Sequence, residues 1–418
     1  MRILFVTHRF LPRFTAGTEV YSGLMAQELA RLGHALRIFT GDPSVKAAYA
    51  ATWNGLPVQA VPWGLGPWPG AIATYLASFT NPAVERQFEA VCRVFRPEVV
   101  HVQHLMGLSP WLPAIAKRHG ARVVVTLHDY WFACSNTWLF RWSREQCPGP
   151  GSGYYCGGCA LDRLHRAPLP ALMALAAPIF AARTRVLRRA LLQADHLIAP
   201  SKAVANRLAG QGVPLARVEV VAHGIVTPPA PPAEPPAAGV RFVYIGSLTP
   251  PKGVHIALQA FNRLAGDGLQ FEVYGNLTED PDYVRELQAL NQGGRVAFKG
   301  PLAHERLNQT LGSAHMLVLP SLWDEPFSMV VDEALHAGLP VLFTDRGAPK
   351  ERLISGINGL MAAAGDVEAW HRQMRYVVED RHVLAQLRRG ARSLKPASVH
   401  ARELEGIYTR LVSEDAAS

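Results

Sequence analysis

The sequence predicts an α/β protein built from two doubly wound, Rossmann-like domains. Short apolar runs typical of buried parallel strands alternate with segments of helical periodicity along nearly the whole chain. A proline-rich segment interrupts this alternation near the middle of the 418 residues, and the alternation then restarts. We therefore expect two domains that face each other across a cleft.

The first half begins with a strand–helix–strand unit. Residues 3–6 form an apolar run, residues 18–32 carry apolar side chains at helical spacing, and residues 35–40 form the next strand-like run. Gly33 lies between helix and strand, where glycine commonly follows a helix end. The same reasoning predicts a helix at 111–119 and strands at 99–102, 123–127, 196–199 and 218–221.

A stiff linker is predicted to separate the domains. Residues 227–239 contain six prolines, which exclude a helix or a central strand. We place the first domain at 1–226 and the second at 240–396, and expect a helix within 397–418 to pack back on the first domain. In the second domain we predict a helix at 254–264 and strands at 241–245, 270–274, 296–298, 316–319 and 340–344.

Composition and charge narrow the classes of function. The chain is 49% hydrophobic and 18% charged, which excludes disordered, collagen-like and disulfide-framework proteins. The net charge is +9, but most arginines stand singly among carboxylates, so we expect no nucleic-acid partner. The sequence does not predict an oligomeric state.

The segment around residues 320–341 carries the strongest functional signal. A strand ends at Pro320, a loop carries Glu325, and a helix is predicted to start near Ser328. The carboxyl end of a parallel strand and the free N–H groups of a helix start are places where ligands bind. Those N–H groups belong to Phe327, Ser328 and Met329. Glu333 could accept hydrogen bonds from a vicinal diol such as ribose, although two such glutamates alone are also typical of a solvated helix.

This segment resembles the signature of family 4 glycosyltransferases, a group of retaining enzymes with the GT-B fold. The likeness includes the spacing of Glu325 and Glu333 and the residues after them. Further motifs follow the family's order: FTAGTE at 14–19, TLHD at 126–129, YIGSLTPPKG at 244–253, RGAPKE at 346–351 and SGINGL at 355–360. The resemblance covers nearly the whole chain and implies the GT-B fold.

The resemblance implies a role for each matching residue. Gly17 would let the backbone approach the donor diphosphate, and Lys252 would neutralise that diphosphate as it leaves. Glu325 would hold the transferred sugar with the amides at 327–329, and Glu333 would bind the ribose hydroxyls. His128 would line the sugar site of the first domain.

At one position the chain departs from the family. Many members carry Arg directly after the glycine of the diphosphate loop, where this chain has Ser247. We therefore expect binding of the diphosphate to depend more strongly on Lys252.

The implied reaction transfers a sugar from a UDP- or GDP-sugar to an acceptor hydroxyl, with retention at the anomeric carbon. No nucleophile stands out, which suits a front-face mechanism in which the departing phosphate oxygen takes the acceptor proton. The resemblance implies no catalytic metal. We expect a saccharide or lipid-linked saccharide as acceptor, in bacterial polysaccharide or glycoconjugate synthesis. A nucleotide-sugar-binding protein without turnover is the alternative, whereas a dinucleotide-dependent oxidoreductase would need a G-x-G-x-x-G loop after the first strand.

Four of the five cysteines form a cluster in the first domain. Cys134, Cys147, Cys156 and Cys159 follow the spacing C-x12-C-x8-C-x2-C, and Cys92 stands apart as a predicted core residue. Four thiolates at this spacing predict a structural Zn²⁺ site, with reduced thiols, a disulfide or an iron–sulfur site as alternatives. We expect the insert 134–159 to shape acceptor specificity.

No segment is predicted to cross a membrane. The apolar run at 167–182 is short and contains three prolines, and the N-terminal apolar stretch is too short for a signal peptide, so we expect a cytoplasmic protein. A basic group follows that run: Arg183, Arg185, Arg188 and Arg189. It predicts either a solvated helix over the core or a surface that binds anionic lipid at the inner membrane face.

Overall fold

The structure is a computed structural model that describes residues 1–65, 70–226, 235, 238–291, 293–391 and 395–416. The chain divides into two compact units. Unit 1 comprises Met1–Ser143, Cys147–Gly224 and Ala397–Ser418, and unit 2 comprises Arg144–Gln146 and Ile225–Pro396. Most of the linker predicted at 227–239 lies outside the described residues.

Unit 1 contains an eight-stranded sheet. Its strands are β1 (Arg2–Thr7), β2 (Ala35–Asp42), β3 (Tyr49–Trp53), β4 (Leu56–Pro62), β5 (Val99–Val102), β6 (Arg122–Thr126), β7 (His196–Ala199) and β8 (Val218–Val220). The order is β3-β4-β2-β1-β5-β6-β7-β8, and every neighbouring pair is parallel except β3 and β4. The central strands are buried along their length, which is why they appear in the sequence as apolar runs.

The β3–β4 hairpin was not predicted. All the side chains of β3 are exposed or half-buried, so no burial pattern marks it in the sequence. Its turn is formed by Asn54 and Gly55, whose φ angles of +46° and +81° are left-handed. An Asn-Gly pair is the commonest signal for a two-residue hairpin turn, and it could have located this element.

The helices of unit 1 include one from the end of the chain. They are α1 (Gly17–Arg31), α2 (Gly70–Leu76), α3 (Pro82–Phe95), α4 (Leu112–Arg118), α5 (Tyr154–Arg163), α6 (Pro170–Leu192), α7 (Lys202–Ala209) and, at the C-terminus, α14 (Ala397–Ala416). Helix α14 packs on α1 and β6. The hydroxyl of Tyr408 lies 2.5 Å from His101 Nδ1, and that of Tyr21 lies 2.8 Å from His400 Nε2. All four side chains are buried, so α14 is part of the core of unit 1.

Helix α6 extends the apolar run at 167–182 in the C-terminal direction. The prediction that this run is too short and too interrupted by proline to cross a membrane concerned 16 residues, whereas the helix has 23. Pro170 occupies the first turn, where no N–H is needed, and Pro178 is tolerated inside the 23-residue helix. Within the described parts of the chain, α6 is the one helix whose length and apolar composition would allow it to cross a membrane. The cytoplasmic location stays a prediction.

Unit 2 contains a six-stranded parallel sheet. Its strands are β9 (Val240–Ile245), β10 (Leu269–Tyr274), β11 (Val296–Gly300), β12 (Met316–Leu319), β13 (Val341–Thr344) and β14 (Gly359–Ala362). Its helices are α8 (Val254–Asn262), α9 (Pro281–Ala289), α10 (His304–Gly312), α11 (Met329–His336), α12 (Val367–Glu379) and α13 (Arg381–Gly390). The order is β11-β10-β9-β12-β13-β14.

Each sheet reverses the direction of its strand order at one place. In unit 1 this switch lies between β1 and β5, and in unit 2 it lies between β9 and β12. Loops that leave the carboxyl ends of these strands part to opposite faces and form a crevice where doubly wound folds bind ligands. The fold class predicted from the sequence is confirmed in both units.

Candidate active site

Two predicted site residues meet at the switch point of unit 2. The loop after β9 ends in Lys252, and the loop after β12 carries Glu325. The ammonium group of Lys252 donates a hydrogen bond to Glu325 Oε1 at 2.8 Å. Glu325 is only 2% exposed. The structure thus brings the predicted diphosphate cation and the predicted sugar-binding carboxylate together as a largely buried ion pair.

A glycine next to Lys252 permits this approach. Gly253 has a φ of +67°, and a Cβ atom there would lie 2.0 Å from the carbonyl oxygen of Pro320. The N–H of Leu322 also donates to the Pro251 carbonyl oxygen at 2.8 Å. The backbone contact therefore explains why glycine follows lysine in the motif, because no larger residue fits where the two loops touch.

Three donors converge on one oxygen of Glu325. Besides Lys252, the Ser321 hydroxyl donates at 2.6 Å and the Trp323 indole N–H at 2.9 Å, all to Oε1. No described residue donates a hydrogen bond to Oε2, which leaves that oxygen for a ligand. The sequence analysis missed Ser321 and Trp323, although both lie in the same short loop as Glu325.

A second glycine holds the backbone of Glu325. Gly347 has a φ of +69°, and a Cβ atom there would lie 2.3 Å from the Glu325 nitrogen. The next residue, Ala348, donates its N–H to the Glu325 carbonyl oxygen at 2.8 Å. The RGAPKE motif thus supports the loop that carries Glu325 from the end of the neighbouring strand, β13.

The start of α11 differs in detail from the predicted anion site. Ser328 has a left-handed φ of +67° and its side chain does not cap the helix, so that the first turn, beginning at Met329, lacks a side-chain cap. Phe327 is buried, and its carbonyl oxygen accepts a hydrogen bond from Arg352. Arg352 also pairs with Asp332 and stacks 3.9 Å from the Phe327 ring centroid. Arg352 and Asp332, which the sequence analysis missed, fix the helix start in place.

Glu333 lies in a pocket of its own. The pocket measures about 300 Å³ including its open mouth and is lined by Val226, His304, Leu307, Asn308, Leu311, Glu333 and His336. Burial, with a smaller effect from the neighbouring Asp332, raises the pKa of Glu333 to about 7. No described residue forms a hydrogen bond with its carboxyl group. A carboxyl group without a partner in a half-open pocket can accept hydrogen bonds from a ligand's hydroxyls.

Ser247 stands where many related sequences have arginine. Its carbonyl oxygen accepts a hydrogen bond from the buried Tyr244 hydroxyl at 2.6 Å, which fixes the start of the loop. Lys252 is the only cationic residue in the loop 246–253. The positive charge of this loop therefore depends on one side chain.

The switch point of unit 1 gathers a second set of polar side chains. His8 follows β1 and His104 follows β5, and their ring centroids lie 4.2 Å apart. His8 Nε2 lies 3.5 Å from Glu19 Oε1, and His104 Nε2 lies 3.2 Å from Asp129 Oδ2. Because the Met106 N–H donates to His104 Nδ1, the ring hydrogen of His104 is on Nε2, toward Asp129.

Two buried polar atoms of this cluster form no hydrogen bond with any described residue. His8 Nδ1 and Glu19 Oε2 are buried and have no hydrogen-bond partner in the described structure. Burial raises the pKa of Glu19 and lowers that of His8, because the charged form of each group is costly away from water. The sequence analysis did not select His8 or His104. Their positions just after two central strands could have identified them as candidate site residues.

The other predicted residues of unit 1 lie beside this switch point. His128 follows β6, and its Nε2 lies 2.8 Å from Oε1 of the buried Gln103. Burial lowers the pKa of His128 to about 3, so the ring is neutral at pH 7 and Nε2 is the donor to Gln103. Gly17 is the first residue of α1, and a Cβ atom there would meet nothing within 4 Å. The backbone at Gly17 is therefore open to an approaching group.

The four clustered cysteines line one small cavity. Cys134, Cys147, Cys156 and Cys159 all contribute to it, and all five cysteines of the chain are free thiols. Burial raises the pKa of Cys156 to about 12 and that of Cys159 to about 11, which favours neutral thiols in this arrangement. In the described residues, no group of three or more His, Cys, Asp or Glu side chains is arranged to hold a metal ion. The zinc site stays a prediction, with a donor set of the kind that zinc prefers.

Comparisons with known proteins match both units. The family model described as glycosyl transferase 4-like domain matches residues 16–224, and the one described as glycosyl transferases group 1 matches residues 234–394. The chain is 25% identical over 410 residues to the glycogen synthase of Mycobacterium tuberculosis, an alignment that covers 94% of this chain and 89% of that protein.

Solved structures of similar fold cover the same length. Sucrose-phosphate synthase from Thermosynechococcus elongatus superposes over 100% of both chains with a TM-score of 0.73 and 18% identity. HepE from Anabaena, solved in complex with UDP and glucose, covers 98% of this chain and 99% of its own, with a TM-score of 0.67 and 18% identity. With two family models matched in order over most of its length, the chain belongs to the glycosyltransferases of the GT-B fold, and pairs a 4-like domain with a group 1 domain.

Proposed function

We propose that the protein is a retaining glycosyltransferase that moves a sugar from a UDP- or GDP-sugar to a hydroxyl of a saccharide or lipid-linked saccharide, in bacterial polysaccharide or glycoconjugate synthesis. The observation that carries this proposal is the ion pair between Lys252 and the buried Glu325 at the switch point of unit 2. A carboxylate this buried, with one oxygen held by three donors and the other free, is suited to orient a sugar hydroxyl.

Three residues of unit 2 bind different parts of the donor. Glu333 accepts hydrogen bonds from the two ribose hydroxyls in its pocket. Lys252 uses one of its three N–H bonds on Glu325, and the others are free to bind the diphosphate as negative charge develops on it. Glu325 Oε2 accepts a hydrogen bond from a hydroxyl of the transferred sugar.

The proposed step exchanges one bond for another on the same face of the sugar. The bond between the anomeric carbon and the phosphate oxygen breaks, and its electron pair stays on the diphosphate. The acceptor oxygen forms the new bond, and its proton passes to the departing phosphate oxygen. Catalysis then consists of positioning and of stabilising the charge of the leaving group, which is the role we give to Lys252.

A binding panel followed by a stereochemical assay tests this proposal. We expect UDP or GDP to raise the melting temperature of the purified protein, with ADP as the comparison nucleotide. With the matching nucleotide sugar and saccharide acceptors, the anomeric proton of the product, followed by NMR from the first turnover, should show the donor's configuration. No stabilisation by any nucleotide would contradict the donor class, and an inverted product would contradict retention. Tight binding of nucleotide sugars without transfer to any acceptor would favour a binding protein.

A further inference from the structure

Helix α6 exposes a row of large apolar side chains. Leu172 is 43% exposed, Leu175 is 76% exposed and Ile179 is 53% exposed. At about 100° per residue, these three positions fall within about 60° of one another on the helix surface. Single exposed apolar residues are common on soluble proteins, but a contiguous row on one helix face marks an interaction surface. We call these three side chains the apolar row.

The buried side chains of α6 fix it to unit 1. Met173, Phe180 and Leu187 are buried, and the helix packs along α5 and against α4. Arg183 is also buried and donates a hydrogen bond to the Trp131 carbonyl oxygen at 3.1 Å. Gly157 of α5 allows the close packing, since a Cβ atom there would lie 2.9 Å from the Met173 carbonyl oxygen. This packing on unit 1 suits a helix that lies on a membrane surface.

The chain segment that carries the apolar row has charge of one sign. No Asp or Glu occurs between residues 163 and 194. The exposed arginines of this stretch form no ion pair with a carboxylate of the described chain; they are Arg166, Arg185, Arg188 and Arg189. Arg166 precedes the apolar row in the chain, and the exposed Arg185 and Arg189 follow it. Cations therefore flank the row in sequence on both sides.

We propose that this face of α6 binds the surface of an anionic phospholipid bilayer. The apolar row enters the boundary between head groups and acyl chains, and Arg166, Arg185 and Arg189 contact the lipid phosphates. The charge pattern selects this partner, because an apolar row preceded and followed in the chain by exposed arginines complements a negative surface that is apolar beneath. The inference does not depend on the proposed reaction, since binding can be measured without donor or acceptor.

Vesicle flotation with the purified full-length protein tests the proposal. We expect the protein to float with vesicles of phosphatidylcholine and phosphatidylglycerol, to float far less with phosphatidylcholine alone, and to be released from the anionic vesicles as salt is raised. Arg185→Gln/Arg189→Gln should weaken the partition coefficient about 25-fold, at about five-fold for each arginine. Leu175→Gln/Ile179→Gln should weaken it at least ten-fold.

Matched variants on helix α3 serve as controls. Arg86 and Arg93 are exposed there, and Val94 is 77% exposed, so Arg86→Gln/Arg93→Gln and Val94→Gln make the same chemical changes away from α6. These controls should float like the unchanged protein, and all variants should keep its melting temperature. Equal binding to neutral and anionic vesicles, no binding to either, or equal losses in the α6 and α3 variants would each overturn the proposal. Resistance of the bound protein to alkaline carbonate would overturn the surface-bound arrangement.

Discussion

Lys252 Nζ lies 2.8 Å from Glu325 Oε1, and the two residues are 73 positions apart in the chain. They meet because β9 and β12 are neighbours in the sheet although three helices and two strands separate them in sequence. A buried ion pair contributes little net stability, because the cost of removing both charges from water offsets their attraction. We infer that the pair is present for its chemistry.

Removing one partner of this pair should harm folding more than removing both. Lys252→Met leaves the Glu325 carboxylate buried without its cation, which should cost about 3 kcal/mol. For a unit of this size the melting temperature would fall by roughly 6–12 °C. The double variant Lys252→Met/Glu325→Gln should recover most of that loss and remain inactive. A double variant as unstable as the single one would show that the pair is not coupled.

Glutamine substitutions should separate the roles of Glu325 and Glu333. Glu325→Gln should lower the transfer rate by about 10²–10³-fold while nucleotide affinity changes little, because the sugar contact strengthens only as charge develops. Glu333→Gln should weaken nucleotide binding by about ten-fold and leave the maximal rate nearly unchanged. Calorimetric titration with the nucleotide and saturation kinetics measure the two effects. Unchanged turnover in the Glu325 variant would remove that residue from the mechanism.

Gly253→Ala should disrupt the loop that carries Lys252. The added Cβ atom would lie 2.0 Å from the Pro320 carbonyl oxygen. This oxygen belongs to the backbone, so a change of side-chain rotamer cannot relieve the clash. Gly300→Ala is the matched control, because Gly300 has a similar φ of +75° but open space around its Cα atom. We expect the control to cost about 1 kcal/mol of unfolding free energy and to keep activity, whereas Gly253→Ala should lose both stability and transfer. Equal effects in the two variants would mean that backbone strain alone matters.

The titration of Glu333 should be visible in the pH dependence of stability. Its pKa of about 7 lies above the ordinary value of 4.5, so the folded protein binds the proton more tightly than the unfolded chain does. The stabilising effect is complete below pH 4.5 and is lost as pH rises through 7. Glu333→Gln should therefore nearly match the unchanged protein at pH 4.5 and exceed it by about 3 kcal/mol at pH 8, measured by urea denaturation. The neighbouring Asp332 is present in both proteins, so its own titration largely cancels.

The zinc site predicted from the four cysteines can be tested by measuring the metal content of the protein. If its four thiols hold a structural ion, elemental analysis of the purified protein should find about one equivalent of zinc, and Cys159→Ser should remove it together with several degrees of thermal stability. Cys92→Ser is the control, because Cys92 is buried in α3, away from the cavity. Less than about a tenth of an equivalent in the unchanged protein would eliminate the metal and leave reduced thiols as the explanation.

Buried strands were predictable because burial on both faces leaves a continuous apolar run. His196–Ala199 and Met316–Leu319 begin and end where the sequence places them. The hairpin strand β3 was not predicted, because its side chains are exposed or half-buried and so leave no burial pattern in the sequence. Local sequence patterns report burial, and they fail where an element is exposed or where neighbouring helices stabilise it.

By itself, the sequence determined the fold class and the residue types of the proposed donor site, since glycine turns, Lys252, Glu325 and Glu333 occur in a recognisable order. Only the tertiary structure decided which atoms meet. Ser321, Trp323 and Lys252 share one oxygen of Glu325, and the rings of His8 and His104 lie close together at the switch point of unit 1, because adjacent strands bring together loops that are far apart in the chain. These contacts cannot be predicted from the order of residues in the chain, because they depend on which strands become neighbours in the folded sheet.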